Sequence, residues 1–267
     1  MELTFLGTGT SHGVPVIGCR CPVCRSDDPR DTRWRSSLLV TAAGGERLLV
    51  DAGPEFRLQA LRAGIDRLDA LLLTHAHADH IHGMDDLRPL TVAERLPVYG
   101  NEPTIAEVRE RFAYAFRESQ LGGGKPRFDL RVIGERETAA AGGLVAAPLP
   151  AKHGRLDILG WLFTEGAVRA AYLTDVSRIE PAVLSRLGGL DLLVVGALRE
   201  RRHETHYSFA EALDLIRGLA PRRALLTHLC HEHAHREIAV YCTDRSAPTV
   251  APAYDGLSVA LTQKETT

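Results

Sequence analysis

The chain contains little of what builds membrane spans, disulfide frameworks or polyanion-binding surfaces. No apolar stretch in its 267 residues approaches the roughly 20 residues that a transmembrane helix needs. Its five cysteines are an odd number, and three of them fall between positions 19 and 24. The 32 basic and 34 acidic residues leave a formal net charge of −2. This balance predicts neither an extended nucleic-acid surface nor a membrane-binding surface.

The sequence shows no repeat or low-complexity linker, and no secretory leader is expected. Met1 to Phe5 enters a strand-like run without a basic segment before it. Clustered thiols that do not form a disulfide pattern favour a metal site in a reducing compartment, so we expect a cytoplasmic location. A hydrophobic content of 45% in 267 residues is enough for one large α/β core, and we predict a single domain over residues 1–267.

Short apolar runs that alternate with amphipathic segments predict strands mixed with helices. Helices are predicted at 54–62, 102–119, 181–187 and 209–219. The glycine-rich segment 121–124 is expected to be a mobile loop. Strands are predicted at 3–6, 37–40, 47–50, 71–74, 97–100, 129–133, 144–149, 158–164, 168–174, 190–195 and 223–227, the last of them ending at His228. This pattern indicates two sheets covered by helices on their outer faces.

The densest group of titratable side chains follows the apolar run that ends at Thr74. It consists of His75, His77, Asp79 and His80. In an extended segment His75 and His77 project to the same side, and the other two lie where the strand gives way to a helix. Imidazoles and a carboxylate aimed at one point suit zinc or manganese, whereas the alternative is a histidine-rich polar loop.

Three further polar residues, His153, Asp175 and His228, also follow apolar runs. Strand ends are where α/β folds commonly build sites, although each residue alone could be an ordinary loop residue. With the first four they make seven ligands, enough for two divalent ions, either Mn²⁺ or Zn²⁺. Asp175 is the natural bridge because a carboxylate has two oxygens. Asp51, which ends the strand at 47–50, either supports a ligand histidine or belongs to a helix-entry turn.

A second candidate metal site lies in the loop at about 18–25. Cys19, Cys21 and Cys24 supply three thiolates, one ligand short of a closed tetrahedral zinc. We predict His231 as the fourth ligand of a structural Zn²⁺, because it lies three residues after His228. The alternative is three reduced cysteines without a metal.

The order His-x-His-x-Asp-His, followed by His, Asp and His at later strand ends, resembles the metallo-β-lactamase superfamily from about residue 3 to residue 228. The resemblance implies an α/β fold, a four-layered αββα sandwich with a dinuclear site between the sheet edges. It assigns one metal to His75, His77 and His153, and the other to Asp79, His80 and His228, with Asp175 bridging. Superfamily members act on lactones, thioesters, RNA and phosphodiesters, so the superfamily does not fix the substrate.

The cysteine loop, the segment from Thr8 to Pro15 and the ending Leu226-Thr-His-x2-His231 resemble the PhnP-type phosphodiesterases. The resemblance implies hydrolysis of a small cyclic or nucleotide-like phosphodiester, of the 5-phosphoribosyl 1,2-cyclic phosphate type, by a metal-activated hydroxide. Asp79 would orient this hydroxide, and His206 would hold the phosphate or protonate the leaving oxygen. On the residues alone His206 could be a surface residue beside a helix cap, and His203 is a competing candidate.

Other functions stay open. A tRNase Z-like ribonuclease shares the seven ligands, although no Lys/Arg-rich arm occurs here. A PqqB-like protein of cofactor biosynthesis shares a similar cysteine opening.

Residues of about 85–124 depart from the best-known PhnP form and are predicted to be a helical insertion, with a lid or a dimer contact as its roles. Dimerisation is common among such relatives, so a homodimer is also open.

Overall fold

The computed structural model describes residues 1–118, 124–245 and 249–262. Within these residues the chain forms two seven-stranded sheets and seven α-helices. The strands are β1 Glu2–Gly7, β2 Ser37–Thr41, β3 Arg47–Val50, β4 Ala70–Leu72, β5 Leu96–Gly100, β6 Phe128–Val132, β7 Ala139–Ala141, β8 Leu144–His153, β9 Leu156–Glu165, β10 Val168–Leu173, β11 Leu192–Gly196, β12 Ala224–Thr227, β13 Val250–Pro252 and β14 Ser258–Ala260. The helices are α1 Phe56–Ala63, α2 Ala78–Ile81, α3 Glu102–Arg111, α4 Ala113–Phe116, α5 Pro181–Leu184, α6 Phe209–Leu219 and α7 His235–Arg245.

Each sheet has a parallel half and an antiparallel half. The first sheet runs β14-β1-β2-β3-β4-β5-β6, and its strands from β3 to β6 are parallel. The second runs β13-β12-β11-β10-β9-β8-β7, and its strands from β10 to β13 are parallel. Parallel strands point their carboxyl ends to one edge, so each sheet presents several chain turns along a single edge.

Three separate apolar layers hold the elements together. The central layer joins the two sheets and contains Trp161, Phe5 and Phe163, all with no exposed side-chain surface. A second layer lies between the second sheet and helices α5, α6 and α7. A third lies between the first sheet, α1, α3 and the 3-10 helix Met84–Thr91. These three apolar cores lie between four layers of secondary structure, namely helices, sheet, sheet and helices. This arrangement confirms the predicted αββα sandwich.

The strands that deliver polar residues to the sheet edges are buried on both faces. All residues of β4, β11 and β12 are buried. Strands covered on both sides consist of continuous apolar runs rather than alternating ones, which is why the sequence pattern identified them. No helix among the described residues has the length and apolarity to cross a bilayer.

The sequence-based elements differ from the structure at several points. The prediction omits the three-residue strand β7, Ala139–Ala141. The predicted helix 102–119 ends at Arg111, because Phe112 leaves helical geometry and only the short α4 follows. Residues 119–123, with most of the predicted mobile loop, lie outside the described residues. The prediction also stopped at the strand before His228 and missed α7, β13 and β14. Helix α7 buries only His235, Ile238 and Cys242, and the two strands have three residues each, so their periodic signal is weak. The single-domain assignment stays a prediction.

Candidate metal centre

Five strands end in the candidate site, and the last residue of one of them, β8, is His153 itself. β3 is followed by Asp51, β4 by Thr74 and His75, β10 by Asp175, and β12 by His228. Asp51, Asp175 and His228 have φ values of 58°, 57° and 58°, the left-handed region that non-glycine residues rarely adopt. Strained backbone of this kind persists where surrounding contacts impose it and is concentrated at functional sites. The turn at each of these three strand ends thus aims a polar side chain into the candidate site.

The structure brings all seven predicted ligands into overlapping groups. In each group the candidate ligand atoms lie within 4.8 Å of one another. The groups are His75, His77 and His153; His75, His80 and Asp175; His153, Asp175 and His206; and Asp79, Asp175 and His228. Asp175 belongs to three of the four, which agrees with the bridging position predicted for it. We refer to the seven predicted ligands as the His/Asp cluster; His206 is the one further residue in these groups.

Asp51 supports the cluster through hydrogen bonds to Thr74 and His80. Its carboxylate, which is fully buried, accepts hydrogen bonds from the Thr74 amide at 2.8 Å and the Thr74 hydroxyl at 2.7 Å. It also accepts one from His80 Nδ1 at 2.7 Å. Of the two alternatives for Asp51, the structure favours support of a ligand histidine.

These hydrogen bonds determine which nitrogen each imidazole presents. Since the Thr74 hydroxyl gives its hydrogen to Asp51, it accepts from His75 Nδ1 at 3.0 Å. His153 Nδ1 donates to the Thr205 carbonyl at 2.7 Å. His80 Nδ1 donates to Asp51. All three rings therefore carry a proton on Nδ1 and keep Nε2 for the site.

The donor set fits a divalent cation. His80 Nε2 is buried and makes no hydrogen bond within the described part of the chain, yet it lies 3.2 Å from Asp79 and 3.3 Å from Asp175. Burial by itself lowers the pKa of His80, but Asp79, Asp175 and Asp51 outweigh it and hold that pKa well above its usual range. Three buried carboxylates around buried imidazoles call for positive charge, which a bound metal supplies.

The cluster is open at one side. His77 is exposed, whereas His75, His80, Asp175 and His228 are buried. His206 lies next to the cluster with 13% of its side chain exposed, and its Nδ1 is 3.8 Å from Asp175. Its ring centroid is 4.5 Å from that of His153 and 4.9 Å from that of His228. Burial first, and then His228, lower the pKa of His206 to about 3.

Of the two competing histidines, the structure places His206 and not His203 beside the cluster. His203 is exposed, and its ring packs on the ring of His206, with the two ring centroids 5.2 Å apart. Ser208 caps helix α6 through its side chain, as one sequence interpretation held, yet this does not leave His206 on the surface.

The cysteines form a second, separate group. The sulfur atoms of Cys19, Cys21 and Cys24 lie 3.4, 3.5 and 3.5 Å from His231 Nδ1, so three sulfurs surround one imidazole nitrogen. We call these four residues the Cys/His cluster. Three thiols and one imidazole are the donor set of a closed tetrahedral zinc site. The arrangement therefore fits the structural Zn²⁺ predicted here.

Comparison with known proteins places the chain in a family. Residues 46–229 match the model of a beta-lactamase superfamily domain. The chain belongs to this superfamily. Within it, a solved structure described as a new diphosphatase from the PhnP family is 38% identical and has a TM-score of 0.86, over 97% of this chain and 96% of that chain. This match confirms the PhnP-type branch.

Two curated superfamily relatives extend the comparison. An octanoyltransferase of Porphyromonas gingivalis is 38% identical over 265 residues, 99% of this chain, but the chain spans only 52% of that protein. The activity in its name belongs to that longer protein. A coenzyme PQQ synthesis protein B of Methylobacterium radiotolerans is 27% identical over 73% of this chain and 72% of its own length. Together with the PhnP-family structure, the superfamily match supports a metal-dependent hydrolase.

Several residues that shape both clusters had no signal in the sequence. The Ser36 hydroxyl donates to the Gly9 carbonyl at 2.9 Å and lies 3.2 Å from His228 Nδ1, so it can accept a hydrogen bond from that ring. Arg33 is fully buried and donates to the carbonyls of Cys230 and His233, on either side of His231. Arg111 donates to the Ala76 carbonyl at 2.9 Å, between two candidate ligands. All of these are contacts between distant segments, which local patterns do not reveal.

Proposed function

We propose that the protein is a metal-dependent phosphodiesterase that hydrolyses a small cyclic or nucleotide-like phosphodiester. The observation that carries the proposal is the His/Asp cluster with His206 packed against its exposed side. Identity of 38% over nearly the whole length of a PhnP-family diphosphatase supports phosphorus as the electrophile. A diphosphatase cleaves a P–O–P anhydride and a phosphodiesterase a P–O–C ester, but both reactions are attacks on a phosphoryl phosphorus.

The seven predicted ligands would hold two divalent ions, Mn²⁺ or Zn²⁺. His75, His77 and His153 would serve one ion, Asp79, His80 and His228 the other, and Asp175 both. Such ions supply Lewis-acid polarisation of the phosphoryl group and lower the pKa of a water molecule. The Cys/His cluster would hold a structural Zn²⁺ that is not part of the reaction.

The chain's own groups would orient the reactants. Asp79 is buried next to His80 and can accept a hydrogen bond from the attacking water, which directs its lone pair. His206, on the cluster's exposed side, can place a ring N–H against a phosphoryl or leaving oxygen. Asp51 and Thr205 act one step further away, because they hold the rings of His80 and His153.

The test is turnover of small diesters. Purified protein loaded with Mn²⁺ or Zn²⁺ is expected to cleave bis(p-nitrophenyl) phosphate and 2′,3′-cyclic nucleotides. His77→Ala is expected to abolish this activity. His82→Ala is the matched control, because His82 lies in the same segment, is exposed and belongs to neither cluster.

Two results would contradict the proposal. Absence of diester hydrolysis with every divalent metal, together with thioester turnover, would point to another superfamily chemistry. Cleavage of precursor tRNA without cleavage of any small diester would support the tRNase Z-like alternative. The PqqB-like alternative, the cytoplasmic location, the homodimer and the lid or dimer role of residues 85–124 stay predictions.

A further inference from the structure

His77 differs from the other histidines of the His/Asp cluster in how its ring is supported. Each of the other four has Nδ1 within hydrogen-bond distance of a hydroxyl, a carboxylate or a carbonyl from outside the cluster. His77 Nδ1 lies instead 2.9 Å from His75 Nε2, which is itself a candidate ligand atom. Partners outside the ligand set normally orient a metal-binding histidine. Within the described part of the chain, the direction of the His77 ring therefore depends on its backbone.

The backbone at His77 is held by a side chain from helix α3. The Ala76 carbonyl accepts a hydrogen bond from Arg111 Nη1 at 2.9 Å. This carbonyl and the His77 N–H belong to one peptide unit, which is planar. A hydrogen bond to the carbonyl therefore fixes the plane from which the His77 side chain leaves the chain.

Arg111 is itself held in place on α3. Its Nε and Nη2 lie 2.9 and 2.8 Å from Glu107 Oε2, one helical turn earlier, which leaves Nη1 for the Ala76 carbonyl. Ala76 packs in the same apolar layer as Ile105 and Val108 of this helix. The helix and the ligand turn thus form one packed unit, in which the guanidinium group has a defined position.

The other end of the ligand segment is anchored without any side chain. The Ala52 amide donates to the His80 carbonyl at 2.8 Å, and the Gly83 amide donates to the Ala52 carbonyl at 2.8 Å. A Cβ atom at Gly83 would lie 1.9 Å from the Gly53 carbonyl oxygen, so the two loops touch through their main chains. The His80 side thus relies on main-chain contacts, whereas the His77 side relies on Arg111.

We propose that Arg111 is a positioning residue, which sets His77 for metal binding and makes helix α3 part of the metal site. The inference rests on the assignment of ions in the proposed function, where His77 serves one ion and His80 the other. Arg111 should therefore influence the ion at His75, His77 and His153 and leave the second ion unaffected. This gives the segment 85–124 a role in building the site, besides the predicted lid or dimer contact.

Calorimetric titration with Mn²⁺ tests this role without turnover, on protein that retains Zn²⁺ at the Cys/His cluster. Wild type should bind two Mn²⁺ ions. Arg111→Ala is expected to weaken the binding of one ion about tenfold and to leave the other unchanged, because outer partners of metal ligands typically contribute 10- to 100-fold in affinity. Unchanged affinity for both ions would overturn the proposal. Equal weakening of both would also overturn it, since that indicates a general loss of structure.

A double variant tests whether Arg111 acts through His77. His77→Ala should weaken the same ion more strongly than Arg111→Ala does. If Arg111 acts only by placing His77, the variant with both changes should match His77→Ala in its affinity for each ion. Weaker binding by the double variant than by His77→Ala would overturn the positioning role.

Arg109→Ala is the matched control. Arg109 is exposed on the same helix, two positions before Arg111, and its guanidinium lies 5.7 Å from the centre of the Phe116 ring. This variant should bind both ions as wild type does, and weakening of one ion here would overturn the assignment to Arg111. A protein that cleaves no diester but whose Mn²⁺ binding depends on Arg111 would refute the proposed function and leave the positioning role standing.

Discussion

The His/Asp cluster and the Cys/His cluster share the segment 228–231 but are built in different ways. The first stands on the ends of buried strands, and Asp51, Thr74 and Thr205 fix the direction of its rings. The second lies in a loop whose cysteines are partly exposed, with one 3-10 turn, Val23–Arg25, as its regular structure. The fold itself therefore organises the first site. A loop with so little packing would depend far more on a bound metal for its order.

The largest effect on stability is expected from Asp51→Ala, which removes the buried anchor of the first cluster. The change leaves the Thr74 amide and His80 Nδ1 without their acceptor inside the protein. Loss of one partner of a buried charged pair costs about 3–5 kcal/mol. Urea unfolding should show this loss, and metal analysis should show fewer ions at the His/Asp cluster.

Asp66→Ala is the control for that comparison. Asp66 also pairs with an arginine, Arg47, but 82% of its side chain is exposed. Surface pairs contribute about 0–1 kcal/mol, so this variant should unfold close to the wild-type midpoint. If Asp51→Ala unfolds there as well, the buried carboxylate is not the anchor described here.

Cys21→Ser is expected to have an intermediate effect, limited to the second cluster. Because it removes one of three thiolates, the zinc content should fall by about one ion per chain and the melting temperature should fall with it. Ions at the His/Asp cluster should remain. Unchanged zinc content and unchanged melting temperature would exclude the structural zinc.

Cys242→Ala serves as the control for that experiment. Cys242 is a buried thiol on α7 that packs in the apolar core beside the second sheet and is not part of the Cys/His cluster. This variant loses packing and hence some stability, but it should retain the wild-type number of zinc ions.

The smallest effect on stability and metal content is expected from His206→Ala, although its effect on turnover is large. His206 touches the cluster through ring contacts and makes no short hydrogen bond to it. Removal of a ring N–H that orients the phosphoryl or leaving oxygen of the substrate should lower kcat by about a hundredfold or more. His203→Ala, at the exposed neighbouring ring, should change kcat far less. Loss of a metal ion from His206→Ala would reassign His206 as a ligand.

Much of the candidate site could be predicted because its residues follow local patterns. An apolar run followed by His75 or Asp175 signals a buried strand and the polar residue at its end without knowledge of the rest of the chain. The prediction of one helix over 102–119 was wrong because the break at Phe112 contains no glycine or proline, which are the usual sequence signals of a helix end. Helix α7 was missed because few of its residues are buried.

By itself, the sequence determined which residues could bind metals and which strands would carry them, since both depend on residue type and short spacing. Only the tertiary structure decided how the ligands are oriented. Asp51 meets His80 across 29 positions, Ser36 meets His228 across 192, and Arg33 reaches the Cys230 carbonyl across 197. It also decided that Arg111 reaches the Ala76 carbonyl between two candidate ligands. The physical reason is that hydrogen bonds and charge pairs act between neighbours in space, and the packing of two sheets makes distant residues neighbours.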